Sequence, residues 1–379
     1  MLPAPKTDRL SLADVMPACL AAISGDANRL ALPPVDRVVV LLVDGLGSAA
    51  LKARAGHARA LMSAMSGSSV IDSGFPTTTA AALATLTTGT APGQHGLVGY
   101  TVLDAANGRM LKQLSGWDAL IDPVEWQPMP TVFERATAAG HAAVAIGPER
   151  YRDTGFTQAV LRGATYVGAA TIAERLERAA DWLRQPGMTG IAYVYVPELD
   201  VASHATGAGS SEWTTWLETL DAAVTGLIAA LGPRDGLLIT ADHGVVDIAE
   251  HNHVLFDANP ALTDGIRFVA GEPRCLQLHF HPDASLEQRE RTVAAWRDAE
   301  GHRAWVATRD EAIAAGWFGD VRADVVPRIG DLLVAARKGI AYYDSRTLGH
   351  GHRMVGYHGS WSPAEIQVPL LRFGAFARR

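Results

Sequence analysis

The sequence has only two cysteines in 379 residues, Cys19 and Cys275. They are far apart and in no ligand-like spacing, so no disulfide framework or thiolate metal site is implied, and both read as free thiols or core residues. Long apolar runs are also missing. No segment reaches about 18 uninterrupted apolar residues, so no membrane span is expected. The N-terminus lacks a basic head followed by an apolar run and a small-residue cleavage site. Residues 10–23 are interrupted by Ser11, Asp14 and Pro17 and read as an amphipathic helix; the cytoplasm is the expected location. There is no long run of Lys or Arg, and the formal net charge is −7. Polymeric nucleic acid and an anionic membrane surface, which need a basic footprint, are therefore not expected partners. Any recognition of phosphate has to come from something other than Lys and Arg.

What is present suits a folded enzyme. Hydrophobic residues make up 48% and charged residues 19%, with 37 Gly and 20 Pro spread along the chain, a globular composition rather than a disordered or fibrous one. Short apolar runs alternate with helical patterns. The runs are 38–43 (VVVLLV), 142–146, 191–196 (IAYVYV) and 236–240 (GLLIT); helix-like stretches cover 48–65, 171–184 and 212–231. This rhythm predicts an α/β fold, a mostly parallel central sheet covered by helices on both faces. Residues 247–351 break the rhythm with shorter strand candidates at 266–270, 276–279 and 331–335, a helix at 285–298, and many turn residues. The expected organisation is one catalytic domain over 1–379 with an inserted subdomain at 248–350. No internal repeat or low-complexity tract is present.

In an open α/β sheet the ligand site lies outside the carboxyl ends of the strands. VVVLLV is followed by Asp44-Gly45, IAYVYV by a segment with Asp200 and His204, and GLLIT by Ala241-Asp242-His243; His358 stands in a Gly-Tyr-His-Gly segment near the C-terminus. Asp and neutral His are the preferred non-thiol ligands of zinc and similar divalent ions. Each piece alone fits a turn or a helix start. Carboxylates and imidazoles at three sheet edges together are hard to explain as turn chemistry.

Between the first two of these strand ends lies a threonine-rich stretch, Phe75-Pro76-Thr77-Thr78-Thr79, then Thr88-Gly89, Pro92 and His95-Gly96. In motif order from Val38 to the C-terminus, the set resembles the alkaline phosphatase superfamily, and most of all its nucleotide pyrophosphatase/phosphodiesterase branch. The resemblance implies an alkaline phosphatase-like core holding two divalent metal ions, zinc foremost, at the carboxyl edge of the sheet. It implies that Thr79 is the nucleophile, that Asp44, Asp242 and His243 with Thr79 hold the metal that activates it, and that Asp200, His204 and His358 hold the second. Thr77, Thr78, Thr85, Thr87, Thr88 and Thr90 then read as structural.

Elementary chemistry supports that choice. A threonine hydroxyl is a poor nucleophile at neutral pH unless a base or a metal activates it, and no histidine flanks the motif. Thr79 also opens a helix, where backbone N–H groups face an incoming phosphoryl oxygen; a plain N-cap is the competing reading. The expected reaction is attack of Thr79 on phosphorus, departure of an alcohol or phosphate, and hydrolysis of the phospho-threonine, with two inversions giving retention. Two divalent ions against three carboxylates and a Thr79 alkoxide leave a near-neutral cage, which suits a singly charged phosphodiester better than a dianionic monoester. The expected partner is a small-molecule phosphoester; the oligomeric state is open.

Two departures from the branch bear on the substrate. The nucleophile is followed by Ala80-Ala81-Ala82-Leu83-Ala84 where the branch usually has Phe-Pro-Asn-His-Tyr, and Tyr100 stands where its Asn hydrogen-bonds a phosphoryl oxygen. Tyr100 is therefore a candidate catalytic donor, since loss of such a donor costs about 2.7–4 kcal/mol. A sulfatase or a cofactor-independent phosphoglycerate mutase is disfavoured by Thr79. Phosphonate C–P hydrolysis, phosphomonoester chemistry, phosphopentomutase-type transfer and a non-catalytic ligand-binding member remain as alternatives. The pairs His251/His253 and His350/His352 are ligand-like but find both metal shells filled. Trp126, Trp213, Trp317 and Trp361 read as core, with an aromatic from the insertion as a possible lining of the leaving-group site.

Overall fold

A computed structural model describes residues 1–6, 8–347 and 353–377. Its centre is a seven-stranded sheet in the order Val70–Asp72, Gln367–Gly374, Asp235–Thr240, Arg37–Val43, Gly190–Val196, Ala142–Gly147, Thr165–Gly168. The last five are mutually parallel; Gln367–Gly374 lies antiparallel on Asp235–Thr240 and carries Val70–Asp72. Arg37–Val43 is buried at every position after Arg37, and Asp235–Thr240 at all of its positions. Covering both faces with helices favours apolar side chains along the middle of each strand, which is why these strands read as apolar runs.

The helices Leu12–Ser24, Ile172–Leu183 and Ser211–Ala229 pack around this sheet, close to their expected places. The stretch 48–65 differs. It forms Ser48–Ala53, a single turn Ala55–His57 and a separate helix Arg59–Ser63. Ala58 leaves helical geometry, with φ −140° and ψ 54°, and the Asp221 carboxylate accepts from the N–H groups of Ala60 and Leu61 at 3.1 and 2.9 Å. That carboxylate, from a helix more than 150 residues away in sequence, caps a new helix start that periodicity does not show. The strand Gln367–Gly374 was hidden by Pro369, which sits opposite Val70 of the short edge strand.

A second sheet, antiparallel throughout, stands beside the first in the order Ala304–Thr308, Leu332–Ala336, Cys275–Phe280, Ile266–Glu272, Thr101–Asp104, Arg109–Lys112. Residues 248–350 supply four of these strands. The hairpin at 101–112 joins them through Gly271 opposite Thr101, so the sheet draws on chain far outside that interval. The two hairpin strands have four residues each, too short for a period to declare itself. The helix Leu286–Glu300 packs on this sheet with Trp296 fully buried. Cys19 and Cys275 are both buried and free. Among the described residues, no helix is long and apolar enough to cross a membrane.

Leu238, fully buried at the middle of Asp235–Thr240, tests the doubly covered sheet. Leu238→Ala is expected to lower the unfolding free energy by about 2–5 kcal/mol, read from urea denaturation; a change near zero would contradict its place in a packed core.

Candidate active site

The three expected strand ends converge. Asp44 follows Arg37–Val43 directly, and its N–H extends the ladder to Val196 O at 2.9 Å. Gly45 then turns with φ +72°, and a Cβ there would stand 3.1 Å from Asp200. The bare glycine is what lets the next strand end come this close. Gly190–Val196 leads through Pro197 into the helix Glu198–Thr206, where Arg175 ion-pairs Glu198 in the first turn. One turn apart on that helix, Asp200 Oδ2 and His204 Nε2 lie at 3.2 Å. Asp242 and His243 follow Asp235–Thr240, with Asp242 Oδ1 accepting from the N–H groups of Gly45 (3.1 Å) and His243 (2.9 Å). His358 comes from the loop after the two-residue strand Gly356–Tyr357.

These residues form two groups, Asp44/Asp242/His243 and Asp200/His204/His358, each with its ligand atoms within 4.8 Å of one another. The rings of His243 and His358 stack at 3.7 Å and 18°, which sets the groups side by side. In all three histidines Nδ1 faces a carbonyl: Gly356 O for His204 at 2.8 Å, Gly244 O for His243 at 3.3 Å, Thr77 O for His358 at 2.8 Å. A carbonyl only accepts, so Nδ1 carries the proton and Nε2 keeps its lone pair. His243 Nε2 points at Asp242 Oδ2 (3.4 Å) and Asp44 Oδ1 (3.6 Å).

Those two oxygens and Asp200 Oδ1 are buried with no hydrogen-bond partner among the described residues. Lone pairs facing lone pairs in a buried site are unfavourable unless a cation sits among them, so the donor set fits divalent metal ions. The electrostatics agree. Burial, then the charges of Asp242 and Asp200, push the Asp44 carboxyl well above its usual range, and burial with the Asp200 charge pushes Asp242 up to about 6. Tyr195 donates to Asp44 Oδ2 and offsets part of this. Asp200 goes the other way: burial would raise it, but His204, His358 and His243 hold it below the usual range. Burial lowers His358, yet when no cation sits beside Nε2 the Glu272 and Asp200 charges outweigh that and push it up to about 10, so that a second proton would stand at Nε2 in the place a bound ion would take.

Thr79 is the first residue of the helix Thr79–Thr88, and its Oγ1 lies 3.2 Å from His243 Nε2. Most of its neighbours are engaged elsewhere. Thr77 Oγ1 donates to Ser360 O and accepts from Gly359 N, Thr85 meets His95 Nε2, Thr87 and Thr88 donate back to carbonyls of their own helix, and Thr90 pairs with Thr88. Thr78 Oγ1 is buried with no partner. A cavity of about 260 Å³ opens from Asp44, Thr79 and Asp200 and runs between apolar walls that include Ile146, Tyr151, Phe156 and Tyr166.

A model of the type I phosphodiesterase/nucleotide pyrophosphatase family matches residues 38–361. The chain belongs to that family. As a nucleotide pyrophosphatase/phosphodiesterase family member it falls within the alkaline phosphatase superfamily. Its fold is similar to the murine ectonucleotide pyrophosphatase/phosphodiesterase 5 (TM-score 0.69, 16% identity, 89% of this chain and 88% of that one), to an inactive form of that protein in complex with AMP (TM-score 0.68, 15% identity, the same coverage), and to the human counterpart (TM-score 0.66, 16% identity, 90% of each chain). Among curated proteins, the phosphopentomutase of Anaeromyxobacter sp. (strain K) is 31% identical over 119 residues, which are 31% of this chain and 28% of that enzyme. The chain thus aligns with under a third of the length of that relative.

Several residues of this family member lie apart from the two groups. Tyr100 precedes the hairpin at 101–112, half-buried beside Glu272; burial, then the Glu272 charge, raises its phenol, and it is not among the residues lining the cavity. His251 is exposed, and His253 Nε2 meets the Tyr357 hydroxyl at 3.1 Å. His350 and His352 fall outside the described residues. Trp213 and Trp317 are core, and Trp361 stacks on Phe75 at 4.8 Å. The cavity's aromatics come from 151–195 and none from the insertion, contrary to the sequence expectation, because the walls are built by the edge of the main sheet. Sequence reasoning missed Tyr195 and Glu272. Tyr195 lies within an apolar strand run and reads as filler; its only signal was the alternation of Tyr193 and Tyr195 onto one face.

Gly45→Ala is expected to destabilise the protein by about 1–2 kcal/mol for the left-handed backbone alone, and more through the push on Asp200. Urea unfolding measures it; an unchanged midpoint would mean that the two strand ends do not depend on this contact.

Proposed function

We propose that this family member hydrolyses small-molecule phosphodiesters through a phospho-threonine at Thr79, with two divalent ions, zinc foremost, held by Asp44, Asp242 and His243 and by Asp200, His204 and His358. The observation that carries the reading is the Thr79 hydroxyl, first in its helix and 3.2 Å from His243 Nε2, beside carboxylate oxygens that have no other partner. When bound, such ions supply positive charge for the transferring phosphoryl group and lower the pKa of an oxygen they touch. Thr79 Oγ1 attacks phosphorus, the bond from phosphorus to the leaving oxygen breaks, and water then cleaves the phospho-threonine, returning Thr79. The first N–H groups of Thr79–Thr88 face the phosphoryl oxygens. Tyr195 holds Asp44 in place, and the backbone carbonyls hold the three imidazoles.

The cavity supports a reading in which the organic part of the substrate lies between its walls. Its walls are largely apolar and aromatic, and Ala80 beside the nucleophile is buried and contributes no ring. No Lys or Arg lines it, which disfavours a second phosphate there. A diester with an aromatic or apolar group fits better than a sugar bisphosphate. The similarity to phosphopentomutase over 119 residues supports phosphoryl transfer to a pentose as the second reading. Screening the zinc-loaded protein against a chromogenic diester, a nucleotide, a monoester, a phosphonate and a pentose phosphate separates these, and turnover of the pentose phosphate alone would overturn the diester reading.

Thr79→Ala is expected to abolish diester turnover while the protein still binds about two ions per chain, as the two-metal pattern requires; Thr78→Ala is expected to be mild. The reverse outcome would move the nucleophile to Thr78. The support for Tyr100 as a donor is its place in the sequence, where the branch has its phosphoryl-binding Asn, since Tyr100 does not line the cavity. Tyr100→Phe is then expected to lower kcat more than it raises KM, because such a bond strengthens as charge develops in the transition state. Unchanged kcat/KM would assign Tyr100 to packing.

A further inference from the structure

We infer that the turn joining Ile266–Glu272 to Cys275–Phe280 in the second sheet holds the second metal group in place, with Glu272 as the positioning residue for His358; the inference rests on the two-ion reading above. Glu272 Oε2 lies 3.2 Å from His358 Nδ1, with both side chains less than a tenth exposed. Its other oxygen, Oε1, is buried and has no hydrogen-bond partner among the described residues, so that His358 is the polar contact of this carboxylate there. The neighbouring residue of the loop, Gly359, has φ +128°, and a Cβ on it would come within 2.7 Å of the Glu272 side chain. A residue with a side chain at 359 would drive the carboxylate away from the imidazole.

The same turn grips the loop a second time. Arg274, two residues on, is buried and bidentate on Glu365, with Nε to Oε1 at 3.1 Å and Nη2 to Oε2 at 2.6 Å, and it also donates to Lys338 O and Ile340 O. Glu365 in turn accepts from the N–H of Ser360 at 3.0 Å. From the opposite side, Thr77 accepts from Gly359 N and donates to Ser360 O. The segment from His358 to Glu365 is therefore held between one turn of the second sheet and the threonine loop before the nucleophile.

His358 Nδ1–H donates to the Thr77 carbonyl at 2.8 Å, and the Glu272 carboxylate lies beside the same nitrogen at 3.2 Å as an ion-pair contact. The carbonyl alone fixes the tautomer. The carboxylate adds what a carbonyl cannot: a full negative charge that makes the imidazole a stronger donor at Nε2, and a second anchor that restrains rotation of the ring toward Asp200 and His204. The role assigned to the second sheet is to supply this charge to one metal group and not to the other, since neither His243 nor His204 has a carboxylate at Nδ1.

The test is a chelator-competition titration of zinc on the full chain. Glu272→Ala is expected to weaken one of the two ions by about 10–100-fold, the usual cost of losing such a partner, with the other ion retained at its original affinity. Glu272→Gln, which keeps an acceptor oxygen at the same reach but not the charge, is expected to recover only part of the loss, and Glu272→Asp, one methylene short, to resemble Ala. A general loosening of the fold would weaken both ions together and would not be rescued by Gln. If Glu272→Ala does not fold, Gln and Asp decide the matter. Equal affinities in parent, Gln and Asp overturn the inference, as does parallel loss of both ions. A parent protein that binds no divalent ion would instead overturn the two-ion reading itself, and so the two failures are distinguishable.

Discussion

Three carboxylates, Asp44, Asp200 and Asp242, are brought together at the carboxyl edge of the sheet with almost no access to water, and the arrangement of the site follows from the need to tolerate them. An unpaired buried carboxylate costs several kcal/mol, and here three lie close enough to raise or redistribute one another's protons. The protein answers with a few donors: two backbone N–H groups on Asp242 and the Tyr195 hydroxyl on Asp44. These leave one oxygen of each carboxylate without a partner. Neutralising the remainder with lysine or arginine would fill the site with side chains; small divalent cations neutralise it and leave room for a phosphoryl group.

The parallel sheet makes this crowding possible. Adjacent strands Asp235–Thr240, Arg37–Val43 and Gly190–Val196 run the same way in register, Val40 facing both Leu238 and Tyr193, so their following residues arrive at one edge from three distant parts of the chain. Between two helical layers apolar side chains are favoured along the middle of each strand. The polar residues that follow each run are thus forced to the edge, and this is why the sheet and the candidates Asp44, Asp200, His204, Asp242 and His243 at its edge were legible in the sequence, whereas His358, from a loop, does not follow from this rule. The same physics explains what was not. Tyr195 lies inside a run, where its ring is indistinguishable from filler. Glu272 acts across two sheets, and the hairpin at 101–112 finds its partner strand more than 150 residues later; neither leaves a local period. The break at Ala58 is set by Asp221, again a contact with no trace in the local pattern.

The placement of the second sheet follows from the unequal support of the two groups. Asp44, Asp242 and His243 come from adjacent strands of one sheet, whose ladder already fixes them to one another. Asp200 and His204 ride on one helix, but His358 arrives from a loop that pairs only through the two-residue strand Gly356–Tyr357. A ligand on so short a pairing needs outside support to hold its ring, and the turn bearing Glu272 and Arg274 reaches it from the second sheet. The first group is thus built into the main sheet and the second is closed by a separate one, and the candidate site lies between the two sheets. The cavity, by contrast, is walled by residues of the main sheet's edge, 145–201, and by the stretch around Leu114 and Ser115. Changes in those walls can therefore be made without touching the contacts that hold His358, so that under the proposed function the choice of organic group and the support of the second ligand group would rest on different parts of the chain.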